Sequence, residues 1–180
     1  LSLHDALPIL KDDYDVSYMW KDIFTKDTLI ELITKFIFIE KKESKNEVTG
    51  KKKVSERIIF PRYHQLDVLR KIIADLKINH TDQNYLIEHS AGSGKTNTIA
   101  WLAHRLASLH DNDDQQIFDN IIIMTDRVVV DRQLQKAIMG LEHRSGLIQV
   151  MNDKCTSQDL KYALESNTKI IVTTIQKFHY

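Results

Sequence analysis

One cysteine, Cys155, stands in a chain of 180 residues, so no internal disulfide and no thiolate cluster for zinc can form. That fits a reducing interior. Cationic residues are not in excess either, with 25 Lys and Arg set against 25 Asp and Glu. No global positive field exists to draw in a polyanion, and any nucleic-acid contact must come from a local patch. Long apolar runs are absent as well. Stretches such as Phe36-Ile37-Phe38-Ile39 fall far short of the roughly 18 residues a membrane span needs, and a soluble, cytoplasmic protein is expected.

What remains is globular in character. Apolar residues make up 42% of the chain and charged residues 28%, which is enough for one domain with a real core plus an appendage. Both ends read as unnatural. The chain opens without Met, and residues 1–9 resemble the translation of a sequencing-adapter oligonucleotide, so no function is expected of them. The other end stops just after a strand pattern, which reads as truncation.

The stretch that organises the chain is Tyr85-Leu86-Ile87-Glu88-His89-Ser90-Ala91-Gly92-Ser93-Gly94-Lys95-Thr96. A short apolar strand is expected to run into a small-residue loop that ends in Gly-Lys-Thr, with a helix opening directly behind it. A nucleotide phosphate needs that order. Small residues let successive backbone N–H groups close round the oxygens, the helix points its positive end at them, Lys95 reaches the β- and γ-phosphates, and the Thr96 hydroxyl ligates Mg²⁺. The pattern G-x-x-x-x-G-K-[ST] would place its first glycine at His89, so the turn carries a side chain there.

Before this loop, Leu29, Ile30, Leu32, Ile33, Phe36 and Ile37 fall at helical spacing and predict a helix over 26–38, capped by Thr25 or Asp27. That helix is expected to dock on a neighbouring domain. The lysine-rich run over 41–53 reads as a solvated linker or hairpin tip rather than a DNA-binding patch, since no aromatic residues interleave the lysines. Glu40-Lys41-Lys42 has the look of a nuclease E-x-K centre, but helical spacing argues against the strand such a centre requires. Leu66, Leu69, Ile72, Ile73 and Leu76 then share one face of a helix ending near Lys77, with Pro61 just ahead of it. At its start, the Gln65 amide could read an adenine edge or simply cap the helix.

After Thr96 the pattern predicts a helix to about Leu109, then an acidic turn at Asp111-Asn112-Asp113-Asp114. Gln116 stands where a calcium loop would need glycine. Ile121-Ile122-Ile123-Met124-Thr125 reads as a strand, 128–142 as a helix, 148–151 as a weaker strand, 158–165 as a short helix and Ile170-Ile171-Val172-Thr173-Thr174 as a last strand. Alternation at this spacing predicts an α/β fold with a parallel sheet covered on both faces. Ligands of such sheets bind beyond the carboxyl ends of the strands, so the loop at 90–96, Thr125-Asp126-Arg127 and Thr174-Ile175-Gln176-Lys177 should lie along one rim. Hydroxyls, an arginine, a lysine and helix N-termini on one rim are chemistry for a nucleic-acid backbone, although Thr125 and Thr174 could also serve only as caps.

Phe60-Pro61-Arg62-Tyr63-His64-Gln65, the 89–96 loop, Ile99-Ala100-Trp101-Leu102-Ala103-His104-Arg105-Leu106, Thr125-Asp126-Arg127 and Thr173-Thr174-Ile175-Gln176-Lys177-Phe178 together resemble the R subunit of type I restriction enzymes. That subunit is a superfamily 2 DNA translocase, and members of the family carry a residue like His89 at that position. The resemblance covers roughly residues 18–178. It implies a helical and polar linker over 10–57 that follows a nuclease domain, and the incomplete first part of a RecA-like motor domain over 58–180. It further implies ATP and Mg²⁺ as cofactors, with Gln65 on the adenine, Ser90, Ala91, Gly92, Ser93, Gly94, Lys95 and Thr96 on the phosphates, and Thr96 on the metal. Thr125, Asp126, Arg127, Thr174 and Lys177 would touch double-stranded DNA. Implied partners are the methyltransferase and specificity subunits. Another superfamily 2 DNA or RNA helicase is the alternative reading. A small P-loop kinase or nucleotide-gated module would have no use for the threonines after the later strands.

No Asp-Glu box follows Thr174 in the 180 residues to position an attacking water. The purified chain is therefore expected to show no DNA-stimulated ATP turnover and no DNA cleavage. Turnover that disappears in Lys95→Ala would overturn that expectation.

Overall fold

The computed structural model describes residues 14, 16–45, 52–81, 83–126, 128–141, 146–151 and 155–178, so the adapter-like residues 1–9 and Arg127 lie outside it. The chain divides into two compact units, Leu1–Asp67 and Val68–Tyr180.

In the first unit a π-helical turn, Met19–Ile23, precedes α1, Lys26–Lys35. Thr25 caps α1 by accepting the Thr28 N–H at 3.4 Å, one of the two caps the sequence offered. The helix stops short of the expected end. Phe36 leaves it, and Phe38 already opens strand β1, Phe38–Lys45, which pairs antiparallel with β2, Lys52–Ile59. A run of four aromatic and β-branched residues satisfies either periodicity, and cross-strand partners decide the outcome. Phe38 faces Ile59, and both are buried. The lysine-rich run is accordingly the outer part of a hairpin, whose residues 46–51 lie outside the described set. Glu40 therefore sits on a strand after all. Its carboxylate is paired with its register partner Arg57 at 2.8 Å, an exposed contact that contributes about 0–1 kcal/mol.

The second unit is α/β. Helix α2, Tyr63–Asn79, crosses the division between the units. It presents Ile72, Ile73 and Leu76 to a cluster that includes Leu109 and is completed by Ile87, Leu102, Leu106 and Phe118. Helix α3, Lys95–Ala107, leads through the Asp111 turn to β3, Ile121–Thr125. The acidic run is a turn closed on itself: one Asp111 carboxylate oxygen accepts the N–H groups of Asp113 and Gln115 at 2.9 and 2.8 Å. Then follow α4, Val128–Gly140, β4, Ile148–Val150, α5, Ser157–Glu165, and β5, Ile170–Thr174. Helix α5 starts from a reciprocal cap in which the Thr156 hydroxyl accepts the Asp159 N–H while Asp159 accepts the Thr156 N–H.

The sheet is parallel, in the order β3-β5-β4. All five residues of central β5 are buried, as a strand covered on both faces requires. Edge strand β3 is covered on one side only: Ile123 is buried, while Ile122 and Met124 are 43% and 48% exposed. The expected strand at Tyr85-Leu86-Ile87 is not formed, because residues 83–90 run without a ladder partner among the described residues. Strand-like alternation survives there without the pairing: Ile87 packs into the core while Leu86 is 95% exposed. Among the described residues no helix is long and apolar enough to cross a membrane.

This unpaired segment is tied down by a side chain. The Tyr85 hydroxyl donates to Asp75 Oδ2 at 2.5 Å, and Asn79 donates to Asp75 Oδ1 at 2.8 Å. The hydrogen bond to Asp75 pushes the Tyr85 phenol from 10.0 up to about 12, with desolvation and the carboxylate's charge adding to it. A raised pKa marks a clasp that needs the proton. Its contribution is complete below the ordinary tyrosine value near 10.0 and is lost as pH climbs through about 12. Asp75→Asn is expected to return the phenol toward the ordinary range, followed by phenolate absorbance against the wild-type curve. An unchanged titration would refute the assignment.

Candidate functional site

The loop ahead of α3 has the backbone its composition allows. Gly92 and Gly94 take φ of +74° and +89°, in the left-handed region that residues with a Cβ rarely enter. Gly94 is the N-cap residue of α3 and makes no side-chain cap. Helix geometry leaves the N–H groups of Lys95 and Thr96 without intrahelical acceptors, and Gly94 has no side chain to cover them. The first carbonyl turned into the helix is that of Gly94, which accepts the N–H groups of Asn97 and Thr98 at 3.0 and 3.2 Å. A cap without a side chain at a left-handed bend is therefore an anion-binding shape, with the positive end of α3 behind it.

Lys95 stands across this shape. It is exposed, and its ammonium donates to the carbonyl oxygens of His89 at 2.9 Å and Ser90 at 2.8 Å. Ser90 also accepts the Ser93 N–H at 3.3 Å, which closes the loop on itself. Ala91 and Gly92 are exposed, Ser93 is buried, and Thr96 is half-buried on the first turn. An ideal Cβ at Gly92 would meet nothing within 4 Å, so the loop is open on that side. A phosphate tail and its divalent cation fit this donor set: outward N–H groups, a mobile-stemmed ammonium and a hydroxyl one residue on. The His89 and Ser90 carbonyls that seat Lys95 escaped sequence reasoning, because a backbone acceptor has no side-chain signature.

The later strands bring two further candidates together. Thr125 and Thr174 are register partners at the carboxyl ends of β3 and β5. Helix α3 packs on both strands and returns to β3 through a closed turn in which the Ile117 N–H meets the Leu109 carbonyl at 3.0 Å. Asp126 follows Thr125, exposed, whereas the Lys177 side chain lies outside the described residues. Thr173 is buried and donates to the Thr174 carbonyl at 3.4 Å. Gln65, in the first unit, is 3% exposed, and its Oε1 accepts the Arg62 N–H at 2.8 Å. The capping role that the sequence left open is the one this amide oxygen performs.

Thr125 Oγ1 is buried and makes no hydrogen bond among the described residues. A buried hydroxyl without a partner costs stability, of order 1 kcal/mol. Thr125→Val is therefore expected to leave the unfolding free energy unchanged or raise it by up to about 1 kcal/mol in a denaturant titration. A loss of more than that amount would mean the hydroxyl is bonded in solution.

Comparison with known proteins agrees with this geometry. The family model described as SWI2/SNF2 ATPase matches residues 64–180. Two archaeal proteins of Methanocaldococcus jannaschii are similar over much of the chain. One, a putative type I restriction enzyme MjaVIIP endonuclease subunit, is 28% identical over 188 aligned residues, which cover 96% of this chain and 16% of that protein. The other, a putative type I restriction enzyme MjaVIIIP endonuclease subunit, is 27% identical over 146 residues, covering 74% of this chain and 13% of that protein. The chain thus spans about one sixth or less of the length of these relatives. No solved structure matches. A glycine-bent loop at a helix start, a parallel sheet behind it and a family match over more than half the residues place this chain in the SWI2/SNF2 ATPase family.

Proposed function

We propose that this chain is the nucleotide-binding part of an ATP-dependent DNA translocase and endonuclease, the R subunit of a type I restriction enzyme. The observation that carries the reading is the 89–96 loop, with left-handed glycines, uncapped first-turn N–H groups and an ammonium held across the opening. Supporting it are the family of ATPases to which the chain belongs and the printed names of its two relatives. In this reading a linker occupies 10–57 and the first part of a motor domain 58–180.

In this reading Lys95 leaves the His89 and Ser90 carbonyls to neutralise the β- and γ-phosphates of ATP. The N–H groups of Lys95 and Thr96 orient the phosphate oxygens, and the Thr96 hydroxyl holds Mg²⁺, whose contribution is to offset charge on the leaving phosphates. Gln65 reads adenine with its amide while its oxygen continues to cap α2, a carbonyl oxygen having two lone pairs. Thr125, Asp126, Arg127, Thr174 and Lys177 follow the DNA backbone along the carboxyl rim, and the neighbouring threonine pair supports that placement. Methyltransferase and specificity subunits complete the assembly and supply the recognised site. The other superfamily 2 helicases share the motor chemistry, but the two similar proteins, both named as restriction subunits, favour the restriction reading.

The complete protein provides the test. Lys95→Ala should lower ATP turnover by at least about a hundredfold and stop translocation and DNA cleavage together, because one ammonium serves the phosphates in every cycle. A mutant that still cleaves DNA in an ATP-dependent manner would remove the role given to Lys95.

A further inference from the structure

The segment leading into the loop has no ladder to hold it among the described residues, so its position depends on side chains. Two of them are in place to hold it. Ile87 is packed against the cluster formed by α2 and α3, and Tyr85 reaches the Asp75 carboxylate on α2 at 2.5 Å. Apolar filling does not lock the segment further. Next to it lies a cavity of about 320 Å³ lined by Ile72, Leu76, Leu102, Leu106, Phe118 and Tyr85 itself. A segment with open space at its side is restrained by its specific contacts, and Tyr85 supplies a directional one at its start.

The other end of the same segment is where Lys95 rests. His89 and Ser90, whose carbonyls accept the ammonium, stand four and five residues after Tyr85. Asp75 is itself oriented by Asn79 one helical turn on, so the anchor is fixed before Tyr85 meets it. We infer that Asp75 and Tyr85 form a positioning clasp for the nucleotide loop, setting where its backbone, with the two carbonyls on which Lys95 rests before it turns to the phosphates, stands relative to a bound phosphate tail. The inference rests on the nucleotide reading above and adds residues to it that touch neither nucleotide nor metal. Their effect is on binding geometry, and a displacement of the order of 1 Å at such a site is enough to be felt.

The test uses the full-length protein, a fluorescent ATP analogue with Mg²⁺ to measure affinity, and steady-state ATP turnover. Tyr85→Phe and Asp75→Ala, each of which removes one partner of the bond, should each raise Kd and KM roughly three- to tenfold, the range of one lost hydrogen bond. Turnover at saturation should stay within about twofold, since the reacting groups are untouched. The double variant should bind no more weakly than the worse single one, as expected of two groups acting as one unit. Ile171→Val, in the separate cluster with Met151, Leu160 and Ala163, should lower the melting temperature and leave KM alone. Single variants that bind like wild type, additive losses in the double variant, or an equal rise in KM for Ile171→Val would overturn the clasp. Should Lys95→Ala bind the analogue as well as wild type does, the nucleotide assignment itself would fall instead.

Discussion

The first turn of α3 presents amide N–H groups that helix geometry cannot satisfy, and the residue placed to cap them, Gly94, has no side chain with which to do so. Most helix starts in soluble proteins solve this with a Ser, Thr, Asp or Asn. α5 does so through Thr156 and Asp159, and α1 through Thr25. The exception at α3 is built on two left-handed glycines within three residues and a lysine turned back over the bend. In the proposed reading an anion completes the helix there.

Support comes from the core on either side. Leu102 and Leu106 join α3 to α2, while Ala100, Trp101 and Ala103 are buried along the same helix. β5, buried along its whole length, fixes the register that brings Thr174 beside Thr125. One helix thus has a packed body, in contact with β3 and β5, and an open head. Burial of the body costs the head none of its openness, since the two lie on different turns.

The hairpin in the first unit is a separate matter. Its inward pair, Phe38 and Ile59, is buried, yet Ile39 and Ile58, the adjacent register pair, are exposed at 55% and 69%. Exposed apolar pairs on a two-stranded ribbon are unusual for an isolated unit, because such ribbons are only marginally stable in water. Nothing among the described residues covers them.

Sequence alone determined the features that depend on residue type at close range. Glycines at 92 and 94 before Lys95 dictated a bent loop on a helix start, the Asp111 run dictated a turn, and continuous apolar runs at 121–125 and 170–174 dictated parallel strands, of which only the second is buried along its whole length. Local chemistry decides these, so they were legible. Tertiary structure alone decided what needs a partner far along the chain. Phe38 joined a strand because Ile59 lies opposite it, and Tyr85-Leu86-Ile87 stayed unpaired because no described strand lies alongside it. Gln65 spends its oxygen on its own helix start, and Tyr85 found Asp75 ten residues away. Periodicity records how a segment distributes its apolar side chains, but a hydrogen bond between distant residues exists only once the chain has brought them together.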